Sequence, residues 1–246
     1  MSVKAIVTGG AMGIGEAIAD TVVSRGGTVA ILDVRRPDHG NGRFHIPCDV
    51  RDEGSVVAAV ASATEGLGGL DHAYLNAGIG GLAPLLQMAA SDWDEIHAVN
   101  LRGVFLTLRE CAKVMVDQGG GSIVATGSVS GFLVDRCMAH YNSSKAGVVS
   151  LCRIAAAELG SQGVRVNVVA PGLTDSPLFA TTDNLPGYRQ AMTARTPLGR
   201  IGSCSEVART AVDLAEMEWV NGNVLVADGG VSLHSPIDVV DFLPPS

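Results

Sequence analysis

The run Thr8-Gly9-Gly10-Ala11-Met12-Gly13-Ile14-Gly15 stands between an apolar stretch that begins at Val3 and an amphipathic one that ends near Arg25. Glycine allows a tight strand-to-helix turn. Without side chains, the backbone N–H groups can approach a pyrophosphate, and the helix N-terminus adds favourable partial charge. A glycine-rich turn alone is weak evidence, because glycines also end strands for steric reasons. Here a second signal accompanies it. The next β-rich run closes on Asp33, 18 residues beyond Gly15, where a dinucleotide fold places the acceptor for the ribose hydroxyls. The two signals together predict a dinucleotide site that uses Gly9, Met12, Gly13, Ile14, Gly15 and Asp33.

Outward from that turn, short apolar runs alternate with amphipathic stretches, the pattern of a parallel sheet covered by helices on both faces. Strands are predicted at 3–8, 28–33, 44–48, 72–76, 122–126, 165–170 and 224–227. They are apolar along most of their length, as strands buried on both sides should be. Helices are predicted at 15–25, 55–65, 91–118, 141–159 and 205–214. The fold class is α/β: a Rossmann-type doubly wound parallel sheet of about seven strands with helices on both faces, residues 1–246 forming one binding and catalytic domain. Two segments break the rhythm. Residues 34–43 are too few for the usual crossover helix. Residues 175–196 mix Pro177, Pro186 and Gly187 with Leu178, Phe179, Leu185, Tyr188 and Met192. A long, partly apolar connection at that place reads as a lid, the alternative being an ordinary surface excursion.

Composition narrows the class. Apolar residues make up 47% of the 246 and charged residues 17%, enough to build a core and too apolar for disorder. A net charge of −8 offers no basic face for nucleic acid. No apolar run reaches membrane-spanning length, and a strand pattern starting at Val3 leaves no room for a leader. Cys48, Cys111, Cys137, Cys152 and Cys204 are odd in number and scattered, and the six histidines form no ligand cluster. The expectation is a cytoplasmic, metal-free protein with free thiols and with neither nucleic-acid nor membrane partners.

Asp33 also bears on which dinucleotide is used. A carboxylate there accepts hydrogen bonds from the ribose of NAD and repels the 2′-phosphate of NADP. Arg35 and Arg36 are good phosphate binders in general. The residue directly after Asp33 is Val34, however, so the arginines read as a solvated loop and the expected cofactor is NAD.

Tyr141-Asn142-Ser143-Ser144-Lys145 opens a helix rich in alanine and leucine. Four residues of helix bring Tyr141 and Lys145 onto one face. A nearby ammonium favours the phenolate and is expected to lower the tyrosine pKa from about 10, as an acid/base acting on an alcohol requires. Ser128 follows the fifth strand at the same sheet edge as the glycine turn, so one ligand can reach both. His140 points away from Tyr141 on a helix and is expected to be a cleft neighbour, not a base. Trp93 and Trp219 read as packing anchors.

With these residues in view, the sequence resembles the short-chain dehydrogenase/reductase family, in its compact branch, over nearly the whole chain. The turn from Thr8 to Gly15 matches the family's T-G-x-x-x-G-x-G, and Asn76-Ala77-Gly78 matches its N-A-G. Asn100, Ser128, Tyr141 and Lys145 fall in the order of its catalytic tetrad, with Ser128 13 residues before Tyr141. Pro171-Gly172, Val220-Asn221-Gly222-Asn223-Val224 and Asp228-Gly229-Gly230 resemble its closing segments. The resemblance implies that Tyr141 is the general acid/base and that Ser128 binds the carbonyl oxygen. It implies that Lys145 holds the nicotinamide ribose and that Asn100, in a long helix, anchors a proton-relaying water. It also implies that Asp49 and Val50 flank adenine, that Asn76, Ala77 and Gly78 line the cleft, and that Pro171, Gly172, Thr174 and Ser176 lie at the nicotinamide end. Ser176 stands where threonine is more usual, Leu75 where a second asparagine often is, and the short crossover lacks the family's helix.

The expected function is hydride transfer between NAD(H) and a secondary alcohol or ketone, alicyclic or otherwise largely apolar. Two alternatives stay open: an NADPH-dependent 3-oxoacyl-thioester reductase, and a NAD-binding sensor on a reductase fold. Val104, Leu108, Cys111, Val148, Leu151 and Ile154 are candidates for outward apolar faces, and residues 231–246 form an apolar tail. Two such patches suit two two-fold axes and predict a homotetramer.

Overall fold

Chains of Val, Ile, Leu and Ala fill β1 (Lys4–Thr8), β2 (Thr28–Asp33), β4 (His72–Leu75), β5 (Gly121–Thr126) and β6 (Val164–Pro171), nearly all of them buried. β3 (Arg43–Pro47) and, after two-residue strands β7 (Thr174–Asp175) and β8 (Gly202–Ser203), β9 (Val224–Ala227) are only half-buried, as edge strands should be. In the computed structural model, which describes residues 2–37, 42–183 and 185–233, seven strands form one parallel sheet in the order β3-β2-β1-β4-β5-β6-β9. β7 and β8 pair separately. Strand order reverses between β1 and β4. That is the point at which a parallel sheet opens a crevice beyond its carboxyl ends.

Alternate residues of each strand feed two cores. Ile6, Leu32, Ile123 and Val166 face α2 (Glu53–Leu67), α4 (Gly103–Asp117) and α5 (Ala139–Leu159). Val7, Ile31, Val124 and Val169 face α1 (Gly13–Ser24) and α8 (Cys204–Glu216). Helix starts follow local chemistry. Asp52 accepts the Ser55 N–H at 2.6 Å, and Ser203 with Glu206 forms a reciprocal capping box. Such caps contribute about 1 kcal/mol each.

Several expectations need correction. The segment 91–118 is not one α-helix: α3 (Ala90–His97) passes through a π turn at Ala98–Arg102 before α4 begins. Gly103 then lets the helix meet the loop after β3, since a Cβ there would lie 2.8 Å from Val50 Cγ2. Val104, Leu108, Cys111 and Val148 are core residues and do not face outward, whereas Ile154 is exposed. Trp219 anchors nothing, being fully exposed, and Trp93 stacks on His97 at 4.3 Å. The 175–196 connection contains two short helices, α6 (Pro177–Asp183) and α7 (Tyr188–Arg195). The described part of the crossover after β2 holds no helix. The tail beyond Leu233 lies outside the described residues. Among the described residues no helix is long and apolar enough to cross a membrane.

Candidate active site

The floor of the crevice is cross-braced by Asn76, which follows β4. Its backbone N–H donates to Thr8 Oγ1 at 3.0 Å and its Nδ2 to the Gly9 carbonyl at 3.2 Å, while its Oδ1 accepts from Thr126 Oγ1 at 3.1 Å. One side chain thereby ties β1, β4 and β5 together at their carboxyl ends. Ala77 N–H shares Thr8 Oγ1 at 3.2 Å. The glycines of the turn are there for space. A Cβ on Gly9, whose φ is +62°, would lie 2.7 Å from Ala77 Cα, and one on Gly15 would lie 2.1 Å from the Gly9 carbonyl oxygen. Met12 precedes α1, and Gly13 and Ile14 open it, so the turn meets a helix N-terminus suited to an anion. Asp33 is buried at the end of β2, and its two carboxylate oxygens accept the backbone N–H groups of Ala11 at 3.0 Å and Arg35 at 2.8 Å. This cradle, closed to any side chain at Gly9 and Gly15 and ending on a carboxylate, fits a nicotinamide dinucleotide.

The reacting end is buried. Ser128 follows β5, Tyr141 and Lys145 lie one turn apart in α5, and all three are less than a tenth exposed. Ser128 hydrogen-bonds the Tyr141 hydroxyl, which favours the phenolate, but burial acts more strongly and pushes the phenol above its ordinary value. The expectation of a tyrosine pKa lowered by lysine is thus corrected in this structure. The Lys145 Nζ lies 5.8 Å from the ring centroid and donates to the Thr126 carbonyl at 2.9 Å. Its own burial pulls the amine down to about 8. Asn100 is fully buried in the π turn, a local widening often found at functional sites. Its Oδ1 accepts from Ile79 N–H at 2.8 Å, and its Nδ2 donates to the Ile79 carbonyl at 2.9 Å and to Ser144 Oγ at 3.2 Å. The carboxamide thereby fastens the irregular segment after Gly78 to α5.

Burial of Lys145 makes a stability prediction. The folded pKa, about 8, lies below the ordinary 10.5, so folding favours the neutral amine. Below pH 8 both states hold the proton and the native state carries the full penalty. Between pH 8 and 10.5 the unfolded chain binds more protons, and stability rises with pH. Lys145→Met should therefore raise Tm at pH 7, with the gain shrinking toward pH 10. A Tm gain of equal size at both pH values would contradict it.

Other predicted residues are placed less directly. Asp49 gives its carboxylate to Arg51, through contacts of 2.7–3.1 Å that hold it below the usual range. Val50 is buried against Gly103. Gly172, after Pro171, packs on Asp228, and buried Thr174 donates to the Gly172 carbonyl at 3.1 Å. Ser176 Oγ accepts the Phe179 N–H at 3.4 Å at the start of α6. Pro177 comes within 3.2 Å of a Cβ position on Gly13, and Leu178 within 3.1 Å of one on Gly80, so α6 crosses over the turn. His140 is buried, accepts the Tyr141 N–H on Nδ1 at 2.9 Å and abuts Gly81. Thr126 and Ser144 were missed by reading the sequence. Their nearness to Ser128 and Lys145 was the available signal.

A switch-point crevice with a glycine cradle, a carboxylate at the end of β2 and a buried Ser–Tyr–Lys group defines a dinucleotide-dependent oxidoreductase. A family model described as enoyl-(acyl carrier protein) reductase matches residues 9–232. The chain is 37% identical over 239 residues to cis-4-hydroxycyclohexanecarboxylate dehydrogenase of Sinomonas cyclohexanicum, covering 92% of this chain and 95% of that one. It is 35% identical over 238 residues to 2,5-dichloro-2,5-cyclohexadiene-1,4-diol dehydrogenase of Sphingobium indicum, covering 92% and 95%. The ligand-free aldohexose dehydrogenase of Thermoplasma acidophilum superposes with a TM-score of 0.90 at 30% identity, covering 96% of each chain. The chain belongs to the short-chain dehydrogenase/reductase family.

Proposed function

We propose that the protein is an NAD(H)-dependent dehydrogenase that interconverts a secondary alcohol and its ketone. The observation that carries this reading is the burial of Ser128, Tyr141 and Lys145 together at the sheet edge that bears the glycine cradle. When bound, the nicotinamide supplies or accepts the hydride. Ser128 Oγ donates to the substrate oxygen and holds it beside the Tyr141 hydroxyl. In reduction, Tyr141 gives its proton to the developing alkoxide; in oxidation the phenolate takes the alcohol proton. Lys145, fixed by Thr126, restores charge balance beside the phenol and meets the ribose. Asn100 holds α5 and the segment after Gly78 in register. Pro171, Gly172, Thr174 and Ser176 lie toward the nicotinamide end, and α6 and α7 act as a lid that excludes water.

The substrate we favour is alicyclic. Val129, Phe179 and Leu178 offer apolar walls, and two of the similar proteins are named for oxidation of ring alcohols. NAD is favoured because the carboxylate of Asp33 ends β2, where a dinucleotide fold carries its acceptor for the ribose hydroxyls. A panel of secondary alcohols with NAD tests the activity, and no turnover on any of them would sink it. Asp33→Ala should narrow or reverse the preference for NAD over NADP in kcat/KM, whereas an unaltered ratio would remove Asp33 from that role.

A cytoplasmic location and a homotetramer complete the reading. Phe105 and Ile154, both exposed on the helices α4 and α5, support association better than the buried Val104, Leu108, Cys111 and Val148. Light scattering at low micromolar concentration should give a multiple of the 25.2 kDa chain mass, and a value near the chain mass would refute assembly.

A further inference from the structure

α5 carries Tyr141 and Lys145, yet it begins without the side-chain cap that opens α2 and α8. Its N-cap position is Met138, whose side chain accepts no N–H of the first turn. The intrahelical ladder starts only with the Asn142 N–H, which donates to the Met138 carbonyl at 2.8 Å. The N–H of Tyr141, third residue of the helix, is a donor that an N-cap Ser, Thr, Asp or Asn would ordinarily take. Here it donates instead to Nδ1 of the preceding residue, His140, at 2.9 Å. The His140 ring is 2% exposed and wedged against the segment after Gly78. A Cβ on Gly81 would lie 3.0 Å from His140 Nε2 and 3.9 Å from Ile96 Cδ1, so glycine there leaves the space that the ring fills. With Nδ1 accepting, a neutral ring carries its proton on Nε2. Among the described residues that nitrogen makes no hydrogen bond.

We propose that His140 is a positioning residue for the reaction: its Nδ1 is the acceptor that closes the first turn of α5 and so fixes where Tyr141 presents its hydroxyl. The inference deepens the alcohol–ketone reading above and rests on it, adding a residue that acts only through Tyr141. Lys145 stands one turn further along and is anchored separately, by the Thr126 carbonyl at 2.9 Å, so the dinucleotide end does not depend on this contact. Tyr141 does depend on it. It lies in the turn that the contact closes, and its hydroxyl must meet both Ser128 and the substrate oxygen. Removing a cap frays the first turn, and a displacement of about 1 Å at a reacting group can cost roughly 100-fold in rate. The chemistry of the acceptor also supplies its own controls. Asparagine places Oδ1 where the ring has Nδ1, whereas glutamine matches only the reach of Nε2.

The test compares His140→Leu, His140→Asn and His140→Gln by turnover of a secondary alcohol, calorimetric titration with NADH, and amide hydrogen exchange. His140→Leu should lower kcat by about tenfold or more, while KM and the NADH Kd stay within about threefold. His140→Asn should restore kcat to within about threefold of the unaltered protein, whereas His140→Gln should remain as slow as His140→Leu. Exchange in the turn 138–142 should quicken in the leucine and glutamine variants and not in the asparagine variant. In a Tyr141→Phe background His140→Leu should cost nothing further, because groups that act as a unit are not additive. Unchanged kcat in His140→Leu would overturn the proposal. Activity restored by glutamine and not by asparagine would overturn it too, by giving the role to Nε2. The same kcat loss with and without the Tyr141 hydroxyl would reduce the ring to packing. If His140→Leu fails to fold, the asparagine–glutamine contrast decides, and equal kcat in those two variants sinks the proposal. If the unaltered protein oxidises no secondary alcohol, the alcohol–ketone reading fails and the positioning role falls with it. The exchange contrast would then show whether the cap itself stands.

Discussion

Replacing Tyr141 with phenylalanine should cut turnover by about 100- to 10,000-fold, the range for loss of a general acid/base, while NADH affinity changes little. The ring is buried in α5 and the substitution keeps its volume, so the core around it should not rearrange. What disappears is the hydroxyl that Ser128 bonds and that the substrate oxygen would meet. Because burial holds the phenol above its ordinary value, alcohol oxidation by the unaltered enzyme should keep rising into the alkaline range. The phenylalanine variant should lose that rise along with its rate. Stopped-flow measurement of NADH production across pH separates these effects. Turnover near the unaltered level would mean that another group moves the proton.

Gly15→Ala should be nearly as damaging, through sterics. Its methyl would fall 2.1 Å from the Gly9 carbonyl oxygen and 2.6 Å from Asn76 Nδ2. Neither atom can step aside, since one is backbone and the other holds that same carbonyl at 3.2 Å while its partner oxygen accepts from Thr126. The turn would have to open, removing the N–H geometry on which a pyrophosphate depends. Overpacking of this kind typically costs about 1–3 kcal/mol of stability. Dinucleotide affinity should fall by at least about tenfold, because the affected backbone is the binding surface itself. Calorimetric titration together with a thermal melt checks both parts, and unchanged NADH affinity would refute the role assigned to the cradle.

Strands buried on both faces announce themselves by unbroken apolar runs, which is why all seven of the sheet were readable to within a residue or two. The turn from Thr8 to Gly15 was readable because glycine spacing and Asp33 are both local to the chain. The π turn at Ala98–Arg102 was not, because an inserted residue leaves helical periodicity intact on either side and shifts only its phase. Val104, Leu108 and Cys111 show a related limit: a helical stripe says which residues share a face and not which way the face looks. The protonation balance of Tyr141 and Lys145 depended on how deeply α5 sinks, a property of the whole fold that four-residue spacing does not contain.

The brace at Asn76 has a consequence for how the molecule breathes. Amide exchange along the crevice floor requires β1, β4 and β5 to separate, an opening that approaches global unfolding in free energy. α7 buries none of its residues, so its opening exposes little apolar surface and lies at the cheap end of the same scale. If α6 and α7 act as the proposed lid, bound molecules would exchange through its brief loosening, at a rate independent of the stability that keeps the crevice floor in place.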